Sequence, residues 1–252
     1  MIGDWLPSTQ AEQLNQVVEH WREPLDPKLA RLTKKGGARR DWLDAVRNGT
    51  QSVRDGLTAC HYHLSRIEQI ENEIISFCDA RGDVFREGHD VSFRAPALSA
   101  EYAALQFALR RTLDYMTSAV AGFFRTSGGS FRRLSGCVRG KAPVALSDAI
   151  IHRLDRAGLS SILGTAEGHS VRDQLAHHQV VELAWFGVQR IQGKLKIRYS
   201  SEVEEISTIH DPGDAFLTTP YRGRDLSQAA AGKVALVEEV IFGLFADMQL
   251  IP

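Results

Sequence analysis

The sequence predicts an all-α protein, an antiparallel bundle of long helices with a small β-hairpin inserted before the last helix. Apolar residues recur at intervals of three, four and seven along most of the 252 residues. Two of these apolar stripes continue for about eleven and about seven helical turns. Near residue 190 the period changes to a strict apolar–basic alternation, which is typical of a half-buried strand.

The first half of the chain contains two predicted helices. The first has Ser8 or Thr9 as its N-cap and stops at Pro24. The second runs from about Arg39 to Asp79, a length typical of a coiled coil or of the spine of an antiparallel bundle. A loop is predicted from Arg81 to Ala97, because two glycines and a proline interrupt the pattern there.

The second half contains shorter elements between two long helices. The predicted elements are a helix over Ser99–Arg125, a short amphipathic piece over Phe131–Val138, a helix near Val144–Arg156, a helix from Val171 capped by Ser170, a hairpin at about 183–200 around Gln192-Gly193, and a last helix over about Leu226–Met248. No internal repeat is visible. We therefore expect a single domain over residues 1–252, with an N-terminal helical extension (1–38) and a bundle core (39–252).

Composition excludes several classes of protein. With 43% hydrophobic and 24% charged residues, the chain has material for a sizeable core. Thirty Lys and Arg against 31 Asp and Glu argue against a general nucleic-acid coat, although a nuclease needs only a local basic patch. We find no apolar run of about 20 residues, no signal-peptide pattern and only three scattered cysteines. These features predict a cytoplasmic protein with reduced thiols and no membrane partner.

The most informative string is Val171-Arg-Asp-Gln-Leu-Ala-His-His178. An Arg and a following His with four to six residues between them occur here about as often as chance allows, since Arg54 and His61 also match. The fuller string is more specific. Asp173 and His177 lie about 40° apart and one turn apart on a helix, so the carboxylate can orient the imidazole for general acid or base catalysis. The long side chain of Arg172 can reach the same cleft and hold a phosphate.

This string resembles the motif of the HEPN superfamily (higher eukaryotes and prokaryotes nucleotide-binding), in which an Arg and a polar residue precede a His. Arg172, Asp173 and His177 match those positions, and the helix order from Arg39 to Met248 is also similar. The resemblance implies a homodimer with its active cleft between facing motif helices. It also implies metal-independent cleavage of RNA by 2′-hydroxyl attack, which leaves a 2′,3′-cyclic phosphate and a 5′-hydroxyl. HEPN toxins that are paired with a nucleotidyltransferase carry a Tyr where this chain has Gln179, so that pairing is not implied.

By analogy, the resemblance places the protein in stress or antiviral defence, restrained by an inhibitory or regulatory protein partner. The alternative is a non-catalytic HEPN module that binds a nucleotide or a partner protein. A third explanation is that the residues of the string have a structural role only. Arg172 and Asp173 would then form surface salt links, with Asp173 favoured by the helix dipole, and His177 would lie in an interface. His178 is a possible accessory residue, but its place between Val171 and Leu175 on the helical wheel favours packing.

Basic residues suggest where RNA would bind. No acidic residue occurs from Tyr115 to Ser147, and a second basic strip follows on the predicted hairpin. Such runs are usually solvated faces, and the alternative is a track for an RNA backbone. The candidate RNA-binding residues are Arg132, Arg133, Arg139, Lys141, Lys196 and Arg198, and Arg125 belongs to the first run.

No cofactor and no metal are expected. His61 and His63, with Cys60 and Cys78, are the nearest thing to a metal-ligand set, but the two histidines point about 200° apart on a helix and cannot share a tetrahedral site without outside ligands. Gly128-Gly129 lacks the Lys-Ser/Thr of a phosphate-binding P-loop, which favours a flexible hinge.

Overall fold

A computed structural model describes residues 8–20, 38–81, 90–93, 95–141, 144–155, 159–163, 186–191, 194–199 and 226–248. These residues are mostly α-helical. Their helices are α1 (Ser8–His20), α2 (Ala38–Asp79), α3 (Pro96–Phe123), α4 (Leu134–Val138), α5 (Val144–Leu154), α6 (Ser160–Leu163) and α7 (Leu226–Asp247), with a 3₁₀ turn at Phe131–Arg133 before α4. The long helices predicted from periodicity are confirmed. Helix α3 begins three residues earlier than predicted, since Pro96 is well suited to the first helical position.

The strands are β1 (Asp90–Phe93), β2 (Phe186–Ile191) and β3 (Lys194–Tyr199), in an antiparallel sheet of order β1-β2-β3. Strands β2 and β3 lie within the alternating segment, and their register pairs Val188 with Ile197. Strand β1 pairs with β2, with Val91 opposite Val188. The prediction of an unbroken loop from Arg81 to Ala97 was therefore wrong at β1, because this short strand depends on pairing with a distant segment.

The chain divides into two compact units. Unit 1 comprises residues 1–61, 108–163 and 234–252, and unit 2 comprises residues 62–107 and 164–233. The core of unit 1 includes Leu14, Val53, Leu57, Leu113, Met116, Ile150, Ile241 and Phe245, and that of unit 2 includes Ile67, Leu98, Tyr102, Leu105 and Ala230. Helices α2, α3 and α7 each contribute residues to both units.

Small residues bring α2 and α3 into close contact in unit 1. A Cβ added at Gly49 would lie 2.6 Å from the backbone nitrogen of Ala119, and one at Gly56 would overlap the side chain of Thr112. The two contacts are seven positions apart on each helix and run in opposite order. Helices α2 and α3 are therefore antiparallel here, with the two glycines at their closest approach.

Polar contacts fix the other helices of unit 1. Helix α1 buries Leu14, and its Asn15 Oδ1 accepts a 2.8 Å hydrogen bond from Arg54 Nη1 of α2. Arg153 of α5 donates to both carboxylate oxygens of Asp247 of α7, at 2.6 and 2.9 Å. These hydrogen bonds raise the pKa of Arg153 above its ordinary value. The bidentate geometry holds α5 and α7 in one orientation.

Candidate functional site

The candidate catalytic residues Arg172, Asp173 and His177 lie outside the described residues, as does His178. The predicted helix from Val171 lies there too. The catalytic assignment therefore remains a prediction from the sequence.

The first group of candidate RNA-binding residues lies in unit 1, within residues 125–141, which we call the basic segment. Its apolar side chains are buried, namely Phe131, Leu134 and Val138. Its basic side chains are exposed, namely Arg125, Arg132, Arg133, Arg139 and Lys141. The predicted amphipathic character of Phe131–Val138 is thus confirmed, with Arg132 and Arg133 on its exposed side.

The basic segment is held against the end of α3. The backbone N–H of Phe131 donates to Asp114 Oδ1 at 3.0 Å, and Arg110 Nε donates to Asp114 Oδ2 at 3.2 Å. A Cβ at Gly128 would lie 2.6 Å from the Thr117 side chain, so only glycine fits this approach. After α3 ends, the chain therefore doubles back along the last turns of the same helix.

Arg125 is the second residue after α3, which ends at Phe123. Its φ of 53° is in the left-handed region, where glycine is the usual residue. Its N–H donates to Gly122 O at 3.0 Å, and the N–H of Thr126 donates to Ala121 O at 2.9 Å. These two bonds form a Schellman motif that satisfies carbonyls at the helix end. An arginine here costs about 1 kcal/mol relative to an unstrained conformation.

The basic segment contains no acidic residue of its own. Residues 115–147 contain no Asp or Glu, and Asp114 already accepts hydrogen bonds from Phe131 and Arg110. Five exposed cations lie within this short stretch, and such a cluster favours contact with anions.

The second group of candidate RNA-binding residues lies on β3 in unit 2. Lys196 is paired in register with Gln189, and Arg198 with Gly187. Lys196 and Arg198 are therefore two positions apart on β3.

Two histidine–glutamate pairs were not foreseen from the sequence. In unit 1, His61 Nε2 lies 2.5 Å from Glu238 Oε1, and in unit 2, His63 Nδ1 lies 2.7 Å from Glu101 Oε2. All four side chains are mostly buried. The two imidazoles bind carboxylates of different helices, in agreement with their divergent directions on α2. Arg54 bonds to Asn15 and His61 to Glu238, so these contacts explain Arg54 and His61 as residues that join helices.

The two buried cysteines of the described residues, Cys60 and Cys78, are suited to packing. Cys60 is fully buried, its Sγ lies 3.7 Å from Thr112 Oγ1, and burial raises the pKa of its thiol to about 12. Burial also raises the pKa of Cys78. Both thiols therefore stay protonated and poorly nucleophilic at neutral pH. Within the described parts of the chain, no three His, Cys, Asp or Glu residues are grouped as metal ligands.

A shallow groove of about 610 Å³ follows α2 in unit 2. It is lined by Ser65, Glu68, Gln69, Asn72, Glu73 and Ser76. Gln69 Nε2 donates to Glu73 Oε1 at 2.9 Å, so these two side chains partly satisfy each other. The two glutamates make the groove unfavourable for a polyanion such as RNA.

Comparisons of the chain with family models, with curated proteins and with solved structures find no match. In the described ranges, no helix combines the length and the apolar character needed to cross a membrane. The features that bear on function are therefore the string from Arg172 to His177, the distribution of charge and the contacts described above.

Proposed function

We propose that the protein is a metal-independent endoribonuclease of the HEPN type. The observation that carries the proposal is the string Arg172-Asp-Gln-Leu-Ala-His177 at a predicted helix start in a mostly helical chain. The exposed cations of the basic segment support it, because a ribonuclease must hold a polyanionic substrate.

Three residues of the string have chemical roles in this proposal. Arg172 holds the scissile phosphate and stabilises the charge that develops on its oxygens. His177 exchanges protons with the reacting oxygens, and Asp173 orients His177. The 2′-hydroxyl loses its proton and attacks phosphorus, the bond to the 5′-oxygen breaks, and that oxygen gains a proton. The products are a 2′,3′-cyclic phosphate and a 5′-hydroxyl.

We further propose that the helices form one antiparallel HEPN-like bundle with the hairpin before α7, and that the chain is a homodimer. Two copies of the string would then provide one imidazole to accept a proton and another to donate one. Cross-linking of the purified protein tests this arrangement. The peptide that contains Arg172 and His177 should link to its own copy across the twofold axis, and an active monomer would contradict it. The proposed setting is cytoplasmic stress or antiviral defence, with a regulatory protein partner.

The test is cleavage of labelled RNA by the wild type and by three variants. Arg172→Ala and His177→Ala should each reduce the rate about a hundredfold or more, through lost phosphate stabilisation and lost proton transfer. Asp173→Asn should cost less, because it affects only the orientation of His177. A greater loss in Asp173→Asn than in both other variants would require other roles for these residues.

His61→Gln is the matched control. His61 also follows an arginine at a permitted spacing, but its imidazole contacts Glu238, and glutamine keeps a hydrogen-bond donor there. Cleavage should therefore persist in His61→Gln and be lost in His177→Ala. Binding of RNA without cleavage would instead indicate the non-catalytic module.

A further inference from the structure

We infer that the basic segment is a preformed binding surface for the phosphate backbone of single-stranded RNA, and that Arg125 is one of its phosphate ligands. The inference rests on the proposed function for the identity of the polyanion. It adds a binding residue, Arg125, whose part in the surface follows from the backbone geometry at the end of α3.

The first argument is the arrangement of the charges. The chain runs back along α3 from Arg125, past the contact of Gly128 with Ala121, to the bond between Phe131 and Asp114. The seven helical residues between Ala121 and Asp114 correspond to about 10 Å. Arg125 therefore lies near one end of this stretch, and Arg132 and Arg133 lie near the other. A ligand with several regularly spaced negative charges matches this arrangement better than a single anion does.

The second argument is the burial of the apolar side chains. Phe131, Leu134 and Val138 are at most 2% exposed, so the segment has no apolar face for membrane insertion or for a hydrophobic protein interface. The exposed charged side chains are four arginines and a lysine. Arginine guanidinium groups bind phosphates through two parallel hydrogen bonds. A flexible nucleic-acid backbone is the partner that fits this surface.

The third argument is the residue at position 125. The Schellman motif requires a left-handed residue, and glycine meets that requirement without strain. This chain has an arginine there, with an exposed side chain at the start of the basic segment. Strained residues cluster at binding sites, where the strain is offset by function. A role in binding the ligand explains why an arginine occupies this position.

The experiment measures binding of the full-length protein to a fluorescent single-stranded RNA whose 2′-hydroxyls are methylated, so that cleavage cannot occur. Anisotropy is recorded at several salt concentrations. Arg125→Gly should weaken binding severalfold and reduce the slope of log affinity against log salt by about 0.7, as expected for one lost contact to a single strand. The double variant Arg132→Ala/Arg133→Ala should reduce the slope by about 1.4.

Two control variants make the result specific. Arg125→Lys keeps the charge, so it should keep the salt slope. Arg81→Ala removes one exposed arginine from unit 2, where it stacks over Phe77 at 3.6 Å, and should leave binding unchanged. The melting temperature of Arg125→Gly should not fall, because glycine relieves the strained backbone. Weaker binding by this variant then reflects the lost guanidinium.

Several outcomes would overturn the inference. These are no binding by the wild type, equal slopes for wild type and Arg125→Gly, an equal loss in Arg81→Ala, or equally tight binding of a polyglutamate peptide. The nuclease proposal fails separately. If Arg125→Gly weakens binding but ordinary RNA is never cleaved, the binding surface stands without the enzyme. If His177-dependent cleavage occurs while every variant of the basic segment binds normally, the enzyme stands without this surface.

Discussion

At the residue scale, Arg125 and Gly140 are the two described residues with a positive φ, of 53° and 69°. Replacing the arginine by glycine and the glycine by alanine should have opposite effects on stability. Arg125→Gly should increase the free energy of unfolding by about 0.5–1 kcal/mol, since the left-handed strain exceeds the entropic cost of glycine. Gly140→Ala should decrease it by about 1 kcal/mol, because φ is +69° although no atom within 4 Å would touch the new Cβ. Urea denaturation measures both changes. A loss of stability in Arg125→Gly would contradict this account of the helix end.

The raised pKa of Cys60 predicts that the free energy of unfolding falls at alkaline pH. The thiol titrates near 9.0 in an ordinary environment and at about 12 in the fold, because burial disfavours the thiolate. Between these values the folded state keeps a proton that the unfolded chain loses. The contribution of Cys60 to stability is therefore complete below pH 9.0 and is lost as the pH rises toward about 12, by about 1 kcal/mol per pH unit.

The measurement compares wild type with Cys60→Ala by urea denaturation at several pH values between about 8 and about 10.5, a range of about 2.5 units that is enough to resolve the slope. Above pH 9.0, the wild type should lose stability more steeply than Cys60→Ala. Packing lost in the variant shifts its whole curve but does not change the slope. Parallel curves would show that the Cys60 thiol titrates normally in the fold.

At the scale of the element, the contact between α2 and α3 depends on glycine. Gly49→Ala should lower the free energy of unfolding by about 1–3 kcal/mol, because the added methyl meets the backbone of Ala119, which cannot rotate away. Gly232→Ala in α7 is the matched control. No atom lies within 4 Å of its added Cβ, so higher helix propensity should raise stability by up to about 1 kcal/mol. Thermal or urea unfolding distinguishes the two, and equal effects would contradict the close packing.

Local pattern was enough to predict the long helices. Helix α2 spans Ala38–Asp79 where the apolar stripe runs from about Arg39 to Asp79. The end of α3 was predicted at Arg125, but the helix stops at Phe123 because Arg125 is left-handed. Helix propensity gives no warning of this, since arginine is a good helix former.

Features that depend on distant segments were not predictable in the same way. Strand β1 forms by pairing with β2, and the partners of His61 and His63 are carboxylates on other helices. Gly128-Gly129 suggested a hinge, whereas Gly128 packs against Thr117 of α3. These contacts join segments that are distant in sequence, so they can be recognised only in the folded structure. The basic segment was foreseen as a run of charge, but its attachment to Asp114 was not.

At the scale of the whole molecule, the central claim is that the chain cleaves RNA through Arg172 and His177 without a metal ion. Divalent-metal nucleases need several carboxylates that converge on the scissile phosphate. The string contains one carboxylate, Asp173, and the next acids in sequence, Glu167 and Glu182, lie outside the string itself. The 2′-hydroxyl is therefore the expected nucleophile.

The most direct test incubates labelled RNA with the purified protein in excess EDTA, beside the same RNA methylated at its 2′-hydroxyls and beside the His177→Ala variant. We expect the wild type to cleave the unmodified RNA and leave 2′,3′-cyclic phosphate and 5′-hydroxyl ends. The methylated RNA and the variant reaction should remain intact, since the first lacks the nucleophile and the second lacks the proton-transfer group. A strict requirement for magnesium, or cleavage of DNA at a comparable rate, would contradict the claim.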